Sequence, residues 1–306
     1  MPTVFSPSLL QSVRKRQRNT KIVNTIFLLA SSIAFLTIVI IVGSLLLESS
    51  IFFGHVSPTE FFTGTEWTVL FAEKKFGVLP LVTATALTSA IALLVAVPAG
   101  LAIAIYLSEY APPSVRRPVK NIVELLAGVP TVVYGYFALY FVSPNLLKPL
   151  IHGIGIHSAL AVGLMIGILI IPIVSSLSED ALYSVPEDFR LAAYALGSRK
   201  IDVVFRIVLP AALSGIFASI ILAFTRAMGE TMIAAIAGGF RVIYSFDPRE
   251  SMETMTAFIA QVATGDAPHG TVEYQSIFAV GLLLFVTTMA FNLVAIAVVR
   301  RWQIRY

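Results

Sequence analysis

Long apolar stretches alternate with shorter polar segments along the chain. Each stretch holds about 20 or more mostly apolar residues, which is the length a helix needs to cross the hydrocarbon layer. The pattern therefore predicts an all-α, polytopic membrane protein with six transmembrane helices. The predicted spans are residues 22–47, 78–107, 121–142, 157–177, 211–238 and 276–299.

The polar segments divide the chain into four parts. A basic tail comes first, then one span with a loop, then a core of five spans, then a short basic tail. A longer polar loop interrupts the core at 178–210. The predicted parts are 1–21, 22–77, 78–299 and 300–306.

Composition supports membrane insertion and excludes several kinds of site. Hydrophobic residues make up 57% of the 306 and charged residues 12%, whereas a soluble domain has about 45–50% and about 25%. Cysteine is absent from the sequence, which excludes disulfides and thiolate metal sites. The four histidines have no metal-ligand spacing, so we expect no metal or other cofactor.

Basic residues are distributed unevenly between the two sides of the predicted bundle. Fifteen of the 21 lysines and arginines lie in the tails and in the loops after the second and fourth spans, and five lie in the other loops. Cytoplasmic segments carry the excess of Lys and Arg, so both termini are expected in the cytoplasm. The basic N-terminal cluster is interpreted as a topology determinant rather than a nucleic-acid site.

Two charged residues occur inside the fifth predicted span. Arg226 and Glu230 are four residues apart, which places them on one face of a continuous helix. A charge near mid-span costs about 2.5–3.5 kcal/mol on translocon scales, and intramembrane ionisable groups commonly mark transport pathways. The planar fork of arginine suits a tetrahedral oxyanion, and the Thr231 hydroxyl is a further donor. The alternative is that the two charges only neutralise each other against a neighbouring helix.

The polar loop predicts two short helices. Ser184 and Glu187 have capping-box spacing, so a helix is expected to begin near 185, and Gly197 can end it in a left-handed conformation. A second helix over about 200–208 leads to Pro210. Spacing alone leaves two roles open for the first helix: insertion into a partner's groove or a position at the membrane surface. Its small and apolar face is formed by Phe189, Ala192, Ala193 and Leu196.

The loop resembles the EAA loop of ABC-importer permeases, the helix that docks on the ATP-hydrolysing subunit. The resemblance makes this loop the site of coupling to an ATPase. Leu191 stands where the family commonly has glutamate, so no charged contact is inferred there. The chain has no GxxxxGK[ST] motif for ATP phosphates, so another polypeptide is expected to hydrolyse ATP. The matching residues, here called the coupling residues, are Ala192, Ala193, Gly197, Ile207, Leu209 and Pro210.

Three further segments resemble phosphate ABC-transporter permeases of the PstC type. They are RAMGETM at 226–232, AIYLSEYAP at 104–112 and ELLAGVPTVVYG at 124–135. The resemblance covers about residues 78–240 and implies the type I ABC-importer permease architecture. It also implies that Arg226, Glu230 and Thr231 lie on the substrate pathway.

The function implied by this resemblance is transport rather than catalysis. The chain would be one permease subunit of an ATP-driven importer of inorganic phosphate in the bacterial inner membrane. Its partners would be a homologous second permease, two ATP-binding subunits and an extracytoplasmic phosphate-binding protein. Three alternatives are a permease for another oxyanion such as sulfate, a proton-coupled carrier that titrates Glu230, and a membrane-embedded enzyme. The coupling loop argues against the carrier, and the lack of a nucleophile–base motif argues against the enzyme.

Three expectations concern the remaining polar and aromatic residues. The aromatic residues of the 48–77 loop are expected to form an interfacial belt. Residues 252–262 are expected to form an amphipathic helix at the bilayer surface or against a docked protein. Glu109 and Glu124 are expected to be solvated or interfacial carboxylates.

Overall fold

The computed structural model describes residues 7–265 and 267–302, and nearly all of this part is helical. Residues 1–6 and 303–306 of the two predicted tails lie outside the described residues. The α-helices, in chain order, are α1 (Pro7–His55), α2 (Pro58–Thr63), α3 (Leu79–Ile105), α4 (Pro113–Ala127), α5 (Thr131–Phe137), α6 (Lys148–Leu150), α7 (Ala159–Tyr183), α8 (Glu187–Ala195), α9 (Lys200–Val203), α10 (Leu209–Met228), α11 (Met255–Thr264) and α12 (Val272–Trp302). Four π-helical segments adjoin them, at Tyr106–Tyr110, Ala138–Leu147, Val204–Val208 and Ala234–Gly238.

Five helices in this part of the chain are long and apolar enough to cross a membrane, and the count rises to six if a bent pair of helices forms one span. The prediction of an all-α, multi-pass fold is therefore confirmed. The long helices are Val23–His55, Leu79–Tyr110, Ala159–Tyr183, Lys200–Met228 and Val272–Ala297.

The third predicted span is not a straight helix. Helices Pro113–Ala127 and Thr131–Leu150 meet at an angle of 86°, so the prediction of one span over 121–142 is wrong in shape. Pro130 precedes α5 and has no N–H to continue a helix, and it also disfavours helical geometry in the residue before it. Across the bend, the Tyr134 hydroxyl donates a hydrogen bond to the Leu126 carbonyl at 2.8 Å.

The centre of the bundle depends on close contact between α3 and α7. Gly163 and Gly167 of α7 face Ile91 and Val95 of α3, and Gly100 of α3 faces Val174. Glycines let two helix backbones approach closely inside a membrane, where dispersion contacts replace the hydrophobic effect as the driving force. This contact therefore forms the rigid centre around which the other helices are arranged.

The two ends of the bundle differ, and we call the end that carries α8 the α8 end and the opposite one the far end. At the far end, Phe52, Phe61 and Trp67 are at most 3% exposed and pack with α11 and α12 in one apolar cluster. The predicted interfacial belt is therefore wrong for these residues, because their rings fill the space between helices. Residues 255–264 do form a helix, but its apolar face packs inside the protein instead of against lipid or a docked protein.

We predict that Gly163→Ala destabilises the protein. A Cβ at this position would lie 2.5 Å from the Cβ of Ile91, and overpacking of this kind costs about 1–3 kcal/mol. That cost exceeds the gain of about 1 kcal/mol in helix propensity. The melting temperature of the detergent-solubilised chain should therefore fall. Gly43→Ala is the control, since a Cβ there meets nothing within 4 Å; equal melting temperatures for the two variants would contradict the prediction.

Candidate functional site

The fifth span is interrupted at the predicted charge pair. Helix α10 ends at Met228, and a short helical segment follows that includes the π-helical residues Ala234–Gly238. The prediction of one helix over 211–238 is therefore wrong, and Glu230 lies in the break rather than on the helix face that carries Arg226. Buried residues flank the break on both sides, Ala227 and Ile233 among them, and both belong to the central apolar cluster.

Glu230 stabilises the break through its side chain. Its Oε1 accepts hydrogen bonds from the backbone N–H groups of Met232 at 3.2 Å and Ile233 at 3.4 Å. These N–H groups begin a new helical segment and have no carbonyl partner from a preceding turn. Because the carboxylate accepts their hydrogen bonds, these N–H groups do not need carbonyl partners from a continuous helix. The break is thus a direct consequence of a glutamate following Gly229.

Arg226 meets the other oxygen of the same carboxylate. Its Nη1 donates to Oε2 of Glu230 at 2.6 Å, so the two residues contact each other as the spacing predicted. The side chain of Glu230 is 3% exposed and that of Arg226 is 40% exposed. Within residues 7–265 and 267–302, the guanidinium makes no other hydrogen bond. Its remaining N–H groups are therefore available on a face of the chain that no described residue covers.

Thr231 lies in the same break, half-buried beside Glu230. Its hydroxyl donates a long bond of 3.4 Å to the Gly229 carbonyl, which leaves it able to rotate. Thr225 hydrogen-bonds to Asn292 of α12 at 3.1 Å and so joins α10 to the last span. The structure therefore brings Arg226, Glu230 and Thr231 together and gives Thr225 a role between helices.

Helix α8 presents most of its predicted face outward. Leu196 and Phe189 are 88% and 42% exposed, whereas Ala193 is 5% exposed and packs against the α8 end of the bundle. Ala192 is exposed. Gly197 adopts φ +79°, the left-handed conformation that the sequence predicted. The outer face of α8 is therefore available to a partner.

Two details of this segment differ from the prediction. Ser184 does not form a capping box, because its hydroxyl donates to the Ala181 carbonyl at the end of α7. The second helix does not end before the fifth span, since Lys200–Met228 is continuous. Leu209 and Pro210 are half-buried inside this helix, so they do not lie with Ala192 and Gly197 on the exposed face.

A partly buried arginine, with a side chain 16% exposed, fastens α8 to the spans. Arg190 donates to Oε1 of Glu109 at 2.8 Å, to the Val185 carbonyl at 2.6 Å and to the Leu182 carbonyl at 2.9 Å. The side chain of Glu109 is only 6% exposed, so its predicted solvation is wrong. Glu124 is exposed, as predicted. Movement of α8 is thereby linked to the ends of both α3 and α7.

A second buried carboxylate fastens α4 to α7. Glu179, 1% exposed, accepts from Arg116 at 2.7 Å and from Lys120 at 3.1 Å. Neither this contact nor that of Arg190 is predicted by the sequence pattern. The partners are 63 and 81 residues apart, so no periodicity within one helix could have revealed them. The one available signal was the presence of charged residues at the predicted ends of spans.

Comparison with known proteins identifies the family. Residues 96–304 match the family described as binding-protein-dependent transport system inner membrane component. The chain belongs to this family. It is a multi-pass membrane permease.

Two relatives cover nearly the whole permease. The probable ABC transporter permease protein YqgH of Bacillus subtilis is 31% identical over 294 residues, which is 94% of this chain and 93% of that protein. The phosphate transport system permease protein PstC of Xylella fastidiosa is 33% identical over 295 residues, covering 88% and 87% of the two chains.

Solved structures support the fold. The MetNI methionine ABC transporter in its inward-facing conformation superposes with a TM-score of 0.55 at 17% identity, covering 74% of this permease and 94% of that chain. At this identity the likeness concerns the fold alone. It confirms the expected type I ABC-importer permease architecture.

We predict that Arg190 and Glu109 act as one unit in stability. Arg190→Gln and Glu109→Gln should each lower the melting temperature of the purified permease, because each leaves a buried group without its partner. The double variant should lose less free energy of unfolding than the two single variants lose together, by about 0.5–3 kcal/mol.

The exposed pair Arg199 and Asp202 is the matched control for this cycle. Its arginine side chain is 80% exposed, and surface pairs contribute little. The effects of its two single substitutions on the free energy of unfolding should nearly add up in the double variant. If the effects on the free energy of unfolding were additive for the Arg190–Glu109 pair as well, the prediction that these two residues act as one unit would be contradicted.

Proposed function

We propose that this permease carries inorganic phosphate inward across the bacterial inner membrane as part of an ATP-driven importer. Arg226 and Glu230 lie on the pathway in this proposal, with Thr231 beside them. The observation that carries it is the asymmetric contact between Arg226 and Glu230: a buried carboxylate holds one edge of a guanidinium whose remaining donors are exposed.

The chemistry of this pair suits reversible binding of an oxyanion. Arginine presents five N–H donors in a planar fork, and a tetrahedral oxyanion accepts two of them at once. Glu230 balances the charge of Arg226, which keeps the site from binding an anion too tightly to release it. Conduction requires binding that is favourable enough for entry and weak enough for exit.

Phosphate is favoured among oxyanions by the relatives. PstC of Xylella fastidiosa is named as a phosphate transport permease, and so is the PstC protein of Mesorhizobium japonicum, which is 36% identical over 255 residues. The arginine fork itself suits sulfate equally well. The relatives therefore support the choice of phosphate, and the site supports the class of oxyanion.

The proposed complex contains three further kinds of subunit. A homologous second permease covers the exposed face of Arg226, and a phosphate-binding protein docks at the far end. Two ATP-binding subunits, as a dimer, contact the α8 end, where Ala192, Leu196 and the turn at Gly197 are exposed. Both termini then face the cytoplasm, which agrees with the excess of basic residues at that side. The permease itself performs no catalysis.

The function is tested by uptake into proteoliposomes that contain the permease with its partner subunits and binding protein. Proteoliposomes with the wild-type complex should accumulate labelled phosphate only when ATP is supplied. Arg226→Ala should lower this uptake at least about tenfold, because hydrogen bonds to a charged group contribute about 1.5–3 kcal/mol. Glu230→Gln should lower it as well, since a neutral amide no longer balances the arginine.

Arg249→Ala is the matched control for these variants, because Arg249 pairs with Asp247 in an exposed position. It should transport at the wild-type rate. Assembly of each complex is checked by copurification, so that loss of folding is separated from loss of transport. Preference for labelled sulfate would contradict the substrate, and gradient-driven uptake without ATP would contradict the class of transporter. Normal uptake by both site variants would remove Arg226 and Glu230 from the pathway.

Coupling is tested at the turn after α8. Gly197→Val forces a β-branched residue into a left-handed backbone conformation, although a Cβ there meets nothing within 4 Å. We expect the variant complex to hydrolyse ATP without the matching phosphate uptake. The ratio of phosphate imported to ATP hydrolysed should fall several-fold, as about 1–3 kcal/mol of backbone strain displaces the turn.

Gly270→Val provides a matched control at the far end. Gly270 has φ +85° and equally open surroundings, so the local strain is comparable while the position is remote from α8. An unchanged ratio of transport to hydrolysis is expected there. The same ratio in both variants would show that strain at Gly197 has no special effect on coupling.

A further inference from the structure

Two adjoining cavities open at the far end of the permease, and together we call them the far-end chamber. The larger has a volume of about 740 Å³ and the smaller about 220 Å³. They share the walls formed by Trp67, Phe71, Phe240 and Val242. Neither contains Arg226 or Glu230, so the chamber is separate from the site described above.

The chamber is connected to the Arg226–Glu230 site by two elements. Ala235 and Ile236 line the larger cavity and belong to the short segment whose first N–H groups contact Glu230. On the other side, the hydroxyl of Thr256 in α11 donates to the Glu230 carbonyl at 2.8 Å. The chamber and the Arg226–Glu230 site are therefore joined through the same short segment.

Positive charge is present at the larger cavity without a carboxylate to neutralise it. Arg241 and His157 line this cavity, and Arg241 forms no ion pair with any residue that the structure describes. By contrast, Arg249, Lys74 and Lys75 at the same end each pair with an acidic residue. Arg241 is therefore available to meet an anion at the entrance.

Two buried polar groups of the chamber have no partner in the described part of the chain. Trp67 and Glu253 are each 3% exposed. The indole N–H of Trp67 and the Oε1 of Glu253 form no hydrogen bond there. Leaving such a group unsatisfied costs about 1–3 kcal/mol, and the two lie on walls of the same small cavity. One is a donor and the other belongs to a carboxyl group.

Burial also changes the protonation of this carboxyl. It raises the pKa of Glu253 to about 8, so the group is largely protonated at neutral pH. A protonated carboxyl both donates and accepts a hydrogen bond. A matching ligand carries an O–H group, which donates to the carboxyl, next to an anionic oxygen, which accepts from it. Phosphate retains at least one proton near neutral pH and meets this requirement, whereas sulfate has none.

We propose that the far-end chamber is a second binding site for a proton-bearing tetrahedral oxyanion, in which Glu253 distinguishes phosphate from sulfate. Arg241 attracts the anion, the Trp67 N–H donates to one oxygen, and the Glu253 carboxyl pairs with a P–OH group. Sulfate leaves the acceptor oxygen of Glu253 unsatisfied, and an unsatisfied buried group of this kind gives selectivity. This inference rests on the proposed function, since it assigns the selectivity of the same pathway.

Trp67 provides a direct measurement of occupancy. The chain has two tryptophans, so Trp302→Phe leaves Trp67 as the only one. The full-length chain in lipid nanodiscs is titrated with sodium phosphate and, at equal ionic strength, with sodium sulfate. Phosphate should change the emission of Trp67 saturably, and sulfate should bind at least about tenfold more weakly, as expected for one unsatisfied buried hydrogen bond.

Glu253→Leu should reduce the preference for phosphate about tenfold, because a hydrocarbon side chain has no oxygen to accept a hydrogen bond from P–OH. Glu250→Leu is the matched control: Glu250 also has a buried oxygen without a partner but lines neither cavity. It should keep the wild-type preference. Arg241→Gln should weaken both anions.

Equal affinity for the two anions, no response of Trp67 to phosphate, or identical behaviour of the Glu253 and Glu250 variants would each overturn the inference. ATP-dependent uptake by the complete complex is measured in parallel. If that complex imports phosphate while Trp67 does not respond, the far-end site fails and the proposed function stands. If Trp67 responds but uptake does not occur, the proposed function fails and the binding site stands.

Discussion

The carboxylate of Glu230 is the group on which the centre of this permease depends. An ionised carboxyl is costly to bury unless donors surround it, and here it accepts from Arg226, Met232 and Ile233. Each partner needs the glutamate in return, because the helix break frees the N–H groups and the arginine carries a charge inside a span. The carbonyl of the same residue accepts from Thr256 and so positions α11. One residue thus determines where the helix breaks and where the charge lies.

A similar arrangement recurs at the α8 end, where buried carboxylates hold basic residues from other helices. Glu109 holds Arg190 and Glu179 holds Arg116 and Lys120. Each pair crosses between elements, so that α8, α4 and the ends of α3 and α7 form one connected unit. Ion pairs of this kind contribute less to net stability than to the choice of one geometry. These ion pairs therefore fix the position of α8 relative to the spans.

The far-end chamber differs from both of these clusters because its polar groups are not satisfied within the described chain. Glu230 and Glu179 have several donors each, whereas the Oε1 of Glu253 has no donor and the indole N–H of Trp67 has no acceptor there. Buried polar groups in folded proteins are ordinarily paired. The two unsatisfied groups on the walls of one cavity are an observation that supports its proposed role as a ligand site.

The number and approximate position of the spans follow from the sequence alone, because hydrophobic length is a local property that needs no partner. The same holds for the left-handed turn at Gly197 and for the spacing of Arg226 and Glu230. Tertiary structure decided the rest. The burial of Glu109 and the inward packing of Trp67 depend on groups distant in sequence. The break after Met228 and the bend at Pro130 have local causes, but the apolar pattern of the spans did not reveal them. Local patterns report which residues tolerate a helix or a membrane, and only packing decides which polar group finds a partner.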